Sequence, residues 1–214
     1  MGRRRLAAAL EAWRGRGDDA NEVRIVWEPF LLDGTLPKAK DKMAHYQRKF
    51  GAARVAKMIP RMKEVGETVG IAFSYGGEIG ATQDSHRVAE WAAATGGDEF
   101  ADKVMEEMMV RYFEREQNLA QHDVLLDAVD SAGGDVDAAR AMLESEEYKD
   151  VVEDKIEEAF NMGVSGVPFF IIGPEDGSSK PFGVSGAQEP DTLVSILDKV
   201  ASQMNAEPSS ASAL

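Results

Sequence analysis

The sequence of 214 residues contains no cysteine. For these residues, this excludes disulfide bonds, thiolate nucleophiles and thiolate metal sites. The three histidines, His45, His86 and His122, are far apart and form no H-x-x-x-H pair, so we expect no metal site. No apolar run approaches the about 20 residues that a membrane helix requires, and we therefore expect no membrane partner.

Basic residues are also fewer than acidic ones: the sequence has 24 Lys and Arg against 38 Asp and Glu, and its formal net charge is −14. An acidic surface repels phosphate backbones, so we expect no nucleic-acid partner. The start is nevertheless arginine-rich, with Arg3, Arg4 and Arg5 and no acid before Glu11. No secretory signal is present, which predicts a cytoplasmic protein, with an organelle address as the alternative that the arginines leave open.

Helical and strand patterns alternate at both ends of the chain. Apolar residues at helical spacing predict a helix over 3–14 that ends at Gly15 and Gly17, followed by a turn over 18–21. Val23, Ile25 and Trp27 alternate with charged residues and predict a strand over 23–28. After residue 146 the patterns predict one more helix, two strands and a final helix, at 146–162, 168–172, 182–184 and from Pro190 onward.

Between Leu36 and Ser145 only helical patterns occur. Two helices are predicted on either side of Gly51, with Pro60 as a possible kink in the second. Two more flank the pair Gly96-Gly97, and two short ones lie at 122–130 and 136–143. His86 could act as an acid or base, but a histidine packed at a helix start is the interpretation we favour.

Four short motifs carry a resemblance to a known family. The sharpest is Gly163-Val164-Ser165-Gly166-Val167-Pro168-Phe169-Phe170-Ile171; the others are residues 184–188, residues 82–87, and Tyr112-Phe113 with Gln117-Asn118-Leu119. Together they resemble the DsbA-like thioredoxin-fold family, and within it the FrnE subgroup. Relatives of this subgroup are 2-hydroxychromene-2-carboxylate isomerase and kappa-class glutathione transferase. The resemblance covers residues 2 to 200.

The resemblance implies an α/β fold, a thioredoxin-like (DsbA-type) domain with an α-helical insertion. The thioredoxin-like domain would comprise residues 1–35 and 146–205, the insertion residues 36–145, and a disordered tail residues 206–214. Family members usually open with a strand and a Cys-x-x-Cys pair before an arginine-rich helix, whereas this sequence opens at that helix. The first strand is thus apparently missing, and the cysteine pair would precede Met1. We therefore expect that the sequence starts at an internal methionine; the alternatives are that another segment fills the place of the strand or that the chain is poorly stable.

The resemblance also implies where a substrate would bind. Gly166, Val167 and Pro168 would form the cis-proline loop that holds the backbone of an extended thiol substrate. Ser185, Gly186 and Gln188 would add polar contacts. Pro168 could instead simply begin a strand, where proline is tolerated. No catalytic residue and no metal ligand is predicted.

These observations predict a DsbA/FrnE-type member of the thiol–disulfide oxidoreductase family that is redox-inactive as given, because its cysteine pair is absent. Its partners would be a thiol or disulfide protein or a small thiol, and a homodimer is possible. One alternative is a glutathione-dependent transferase or isomerase, for which glutathione would be the only cofactor. The other is a non-catalytic binding module that would use a groove between the thioredoxin-like core and the methionine-rich helices of the insertion.

Overall fold

The computed structural model describes residues 1–14 and 22–206. The predicted helix end at Gly15 and Gly17, the predicted turn over 18–21, and residues 207–214 of the predicted tail lie outside the described residues. The elements in chain order are α1 (Gly2–Arg14), β1 (Lys40–Asp41), α2 (Lys42–Phe50), α3 (Ala52–Glu67), β2 (Glu78–Ile79), α4 (Gln83–Phe113), α5 (His122–Ser131), α6 (Val136–Leu143), α7 (Lys149–Asn161), β3 (Phe169–Ile172), β4 (Phe182–Ser185) and α8 (Pro190–Ala206).

The chain divides into two compact units, Met1–Val23 with Val164–Leu214 and Arg24–Gly163. In the first unit α1 packs against α8, and the indole Nε1–H of Trp13 donates to Asp198 Oδ1 at 2.9 Å. Strands β3 and β4 form an antiparallel hairpin next to α8. The predicted domain boundaries at residues 36 and 145 rest on the family resemblance and stay a prediction.

The second unit is built around α4, which packs against α5, α6 and α7. Apolar side chains on these helices form its core, among them Val88, Ala92, Val104, Met108, Leu125 and Val129. Helix α4 departs from helical geometry at Gly97 (φ 76°), where the sequence predicted a break between two helices. Although α4 is long, neither it nor any other described helix has the apolar length to cross a membrane.

Helices α2 and α3 form a hairpin at one end of this unit. The carboxylate of Asp41 accepts the backbone N–H of Ala44 at 2.6 Å and caps α2, and Gly51 (φ 86°) separates the two helices. Pro60 lies inside α3. Two-residue strands flank the hairpin, β1 just before α2 and β2 after α3, and they pair antiparallel. The sequence did not predict these two strands.

The prediction of a strand over 23–28 is wrong, because the structure assigns no strand to these residues. The side chains of Val23, Ile25 and Trp27 are half-buried and those of Arg24 and Val26 are exposed, so burial does alternate. A β-strand, however, also needs a hydrogen-bonded neighbour, and within the described residues this segment belongs to no sheet. Alternation predicts which side chains face inward but cannot supply that partner.

A buried arginine joins three parts of the second unit. The guanidinium of Arg87 donates to the backbone carbonyls of Met142 (2.8 Å), Ser145 (2.6 Å) and Glu147 (2.8 Å). It also pairs with Asp84 Oδ1 at 2.8 Å, and Asp84 Oδ2 lies 2.8 Å from His122 Nε2. Arg87 therefore connects the start of α4 to the turn between α6 and α7, and through Asp84 to the start of α5.

We predict that Arg87→Met lowers the free energy of unfolding by about 2–4 kcal/mol, because it leaves three backbone carbonyls without their donor and removes one of the two partners of the half-buried Asp84 carboxylate. Chemical denaturation monitored by circular dichroism measures this change. Arg140→Met, at an exposed position of α6, is the control and should change stability by less than about 0.5 kcal/mol. Equal effects of the two substitutions would contradict the role assigned to Arg87.

His86 is packed at the start of α4. Burial lowers its pKa to about 4, against which a hydrogen bond to the Phe30 carbonyl acts in the opposite direction. The imidazole is therefore neutral at physiological pH. This environment supports the packed interpretation over a role as an acid or base at neutral pH.

The lowered pKa of His86 predicts acid sensitivity. Between pH 6.5 and about 4 the unfolded chain binds a proton that the folded chain does not, so stability falls as the pH falls through this window. His86→Gln should remove about 1–2 kcal/mol of the loss between pH 7 and pH 5. Urea unfolding at both pH values tests this, and an unchanged pH dependence in the variant would refute it.

Candidate functional site

The predicted substrate loop leads into β3 in the first unit. Val164 is buried, whereas Val167 is 48% exposed, and the peptide bond between Val167 and Pro168 is cis. A Cβ atom added to Gly166 would meet no atom within 4 Å. Within this unit the space beside Gly166 is therefore unobstructed, and Val167 is exposed next to it.

Pro168, in contrast, is fixed on two sides. Its carbonyl accepts the backbone N–H of Gly186 at 2.8 Å, which joins the two predicted loops. Its ring lies against Gly2 at the start of α1, where an added Cβ would be 2.9 Å from Pro168 Cγ and 3.1 Å from Phe170 Cζ. Only a glycine fits at position 2 without moving the proline ring.

The second predicted loop follows β4. Ser185 pairs with Phe169 in the hairpin, and Gly186 has a left-handed backbone (φ 82°). The Gln188 side chain donates its Nε2–H to the Ser185 carbonyl at 2.6 Å, and the Gln188 backbone N–H donates to the Gly186 carbonyl at 3.0 Å. The structure therefore brings Pro168, Ser185, Gly186 and Gln188 together, and the Gln188 amide helps to hold the turn.

Sequence reasoning missed one residue that supports this turn. The guanidinium of Arg5 donates to the Ala187 carbonyl and pairs with Glu189 Oε1 at 2.6 Å, with the Arg5 side chain 14% exposed. Helix α1 thus holds both loops, through Gly2 at Pro168 and through Arg5 at Ala187. The only signal for Arg5 in the sequence was its place in the run Gly2-Arg3-Arg4-Arg5-Leu6, which fixes no contact.

The chemical groups that the two loops offer to a ligand are mainly hydrogen-bond donors and acceptors. Of the six predicted residues, only Ser185 carries a nucleophilic side chain, and no histidine or carboxylate contact activates it in the described chain. No group of three or more His, Asp or Glu among the described residues could hold a metal ion. The geometry suits the binding of an extended backbone rather than a covalent step.

The model of the DSBA-like thioredoxin domain family matches residues 1–198. The chain belongs to this family. Its fold is similar to the crystal structure of a probable DsbA oxidoreductase from Streptomyces coelicolor, with a TM-score of 0.78 and 23% sequence identity over 100% of this chain and 87% of that chain. No curated protein sequence matches the chain. The predicted thioredoxin-like fold with a helical insertion is confirmed.

In this DsbA-like chain we expect alanine substitutions at the two loop glycines, Gly166 and Gly186, to differ in their effect on stability. Gly186→Ala should cost about 1–2 kcal/mol of stability, because an L-residue is strained at a positive φ. Gly166→Ala, at an unobstructed position without a positive φ, should change stability by less than about 0.5 kcal/mol. Thermal unfolding of both variants measures the difference, and a costly Gly166→Ala would contradict the open geometry described above.

Proposed function

We propose that this DsbA-like chain binds the extended backbone of a thiol- or disulfide-containing polypeptide at Gly166, Val167 and Pro168, with Ser185, Gly186 and Gln188 completing the site. The observation that carries the proposal is the exposure of Val167 beside the open Gly166, while Pro168 is anchored to Gly186. An anchored turn with free backbone groups on its outer side can accept hydrogen bonds from, and donate them to, an added strand.

Within these 214 residues the proposed function stops at binding. Thiol–disulfide exchange requires a thiolate that attacks a disulfide sulfur, and the sequence holds no cysteine. Family membership supports a thiol or disulfide polypeptide as the ligand class. The motifs at 82–87, 112–119 and 163–171 support the further proposal that the chain belongs to the FrnE subgroup.

We predict that the 214-residue chain does not accelerate the reduction of insulin by dithiothreitol. Turbidity from the precipitating insulin B chain measures the rate, and a thioredoxin with its cysteine pair serves as the positive control. Acceleration above the rate with dithiothreitol alone would contradict the proposed absence of exchange.

We predict that Val167→Asp weakens the binding of a reduced, unfolded cysteine-containing polypeptide by about tenfold or more, because a charge is placed where the ligand backbone would lie. Isothermal titration calorimetry measures the affinity. Val26→Asp is the matched control, because Val26 is also 48% exposed but lies in the other compact unit.

Equal losses in both valine variants would show that the effect is not specific to the loop. Unchanged binding by Val167→Asp would remove this loop as the site. A titration with glutathione in the same experiment separates the alternative, because saturable binding of the tripeptide would favour a glutathione-dependent enzyme.

A further inference from the structure

Charge is distributed very unevenly along the chain. Residues 38–63 hold nine of the 24 Lys and Arg but one of the 38 Asp and Glu, which gives this segment a formal charge of +8 and the remainder −22. The segment covers most of the α2–α3 hairpin, and we call residues 38–63 the basic hairpin; Glu64 and Glu67 follow it in the last turn of α3. A local field of this sign persists over about one Debye length even in a chain whose net charge is strongly negative.

Several cations of the basic hairpin face solvent, whereas Lys42 is buried and its Nζ donates to the Tyr112 carbonyl at 3.0 Å. Arg54, Lys57 and Arg61 are exposed, and their spacing of three and four residues aligns them along one side of α3. No ion pair to an Asp or Glu involves any of the three within the described residues. Phe50, the last residue of α2 at the turn of the hairpin, is 41% exposed.

The opposite pattern occurs on α7. Residues 144–158 carry eight Asp and Glu and two Lys. Asp150, Asp154 and Glu157 are exposed and align along the side of α7 that faces away from its buried residues, Val152, Ile156 and Ala159. Three exposed apolar side chains accompany this acidic face: Val151 (43%), Phe160 (52%) and Met162 (61%).

The two surfaces match in length and in composition. Each charged row spans seven residues of helix, or about 10 Å at 1.5 Å per residue. The hairpin and the end of α7 also carry exposed apolar side chains, Phe50 on the former and Val151, Phe160 and Met162 on the latter, and protein interfaces combine apolar and charged side chains. We propose that the chain self-associates, with the basic hairpin of one copy bound to the acidic face of α7 in a second copy.

Twofold symmetry would use both surfaces of both copies, since each copy would donate its hairpin and receive its partner's. A second copy fits better than a nucleic acid or an anionic membrane. The remainder of the chain, at −22, repels an extended polyanion, whereas α7 presents a short acidic row together with apolar side chains.

Charge reversal on each surface tests this pairing in the full 214-residue chain. The hairpin variant is Arg54→Glu/Lys57→Glu/Arg61→Glu, and the α7 variant is Asp150→Lys/Asp154→Lys/Glu157→Lys. In each variant alone both contacts join like charges, so dimerisation should weaken by about a hundredfold relative to the parent. In an equimolar mixture both contacts again join opposite charges, and a heterodimer should form.

Sedimentation velocity at about 50 mM NaCl and from about 1 to 200 µM protein gives the oligomeric state, and about 500 mM NaCl should dissociate the parent dimer. The control for the α7 variant is Glu99→Lys/Asp130→Lys/Asp137→Lys, which makes the same charge change on α4, α5 and α6. Like the α7 variant, it replaces one acidic residue in the first turn of a helix. This control should dimerise like the parent. Circular dichroism checks that each variant is folded.

Three results would overturn the proposal. The first is a parent chain that stays monomeric over the whole concentration range. If this monomer also sedimented with vesicles containing phosphatidylserine, the basic hairpin would be assigned to an anionic membrane instead. The second is a dimer that neither charge reversal weakens. The third is a mixture of the two folded variants that remains monomeric, since the two surfaces would then not be partners.

Discussion

The arrangement of the larger unit depends on the desolvated guanidinium of Arg87. A buried cation is tolerated only when its donors are satisfied, and Arg87 meets this requirement with the carbonyl of Met142 in α6, two carbonyls from the turn after α6, and Asp84. Burial of Asp84 opposes its ionisation, but hydrogen bonds from His122 and Arg87 keep the pKa of this carboxyl below its ordinary value. The start of α4, the start of α5 and the α6–α7 turn are thereby held in one network, and the apolar core of this unit is built from the same helices α4, α5 and α6.

The smaller unit shows how a thioredoxin-type loop is supported from α1. Gly2 admits the ring of Pro168, and Arg5 holds the turn at Ala187 and Glu189, so that one helix end positions both loops. The resulting surface has an unobstructed Gly166 and an exposed Val167 but no thiol. Binding and exchange are separable properties of this fold, because the loop that holds a substrate backbone and the cysteines that react are different parts of the chain.

Net charge alone gives an incomplete account of this protein. At −14 it argues against nucleic acids, yet it is the difference between a basic segment of +8 and a remainder of −22. Screening limits each field to about 10 Å, so a partner responds to the surface it touches rather than to the sum. A partner that contacts the exposed charged row on α3 or on α7 would therefore respond to the charge of that row and not to the net charge of the chain.

The sequence by itself determined most of the helices, the β3–β4 hairpin and the family. Helical spacing, Gly163 and Pro190 are local signals, and the helices predicted at 122–130 and 136–143 occupy 122–131 and 136–143 in the structure. Contacts between distant residues were decided only by the tertiary structure. Residues 23–28 have the alternation of a strand but no ladder partner, β1 pairs with β2 although 36 residues lie between them, and Arg5 reaches Ala187. Periodicity reports which face of a segment is buried, whereas a hydrogen-bond partner is fixed only when the whole chain has folded.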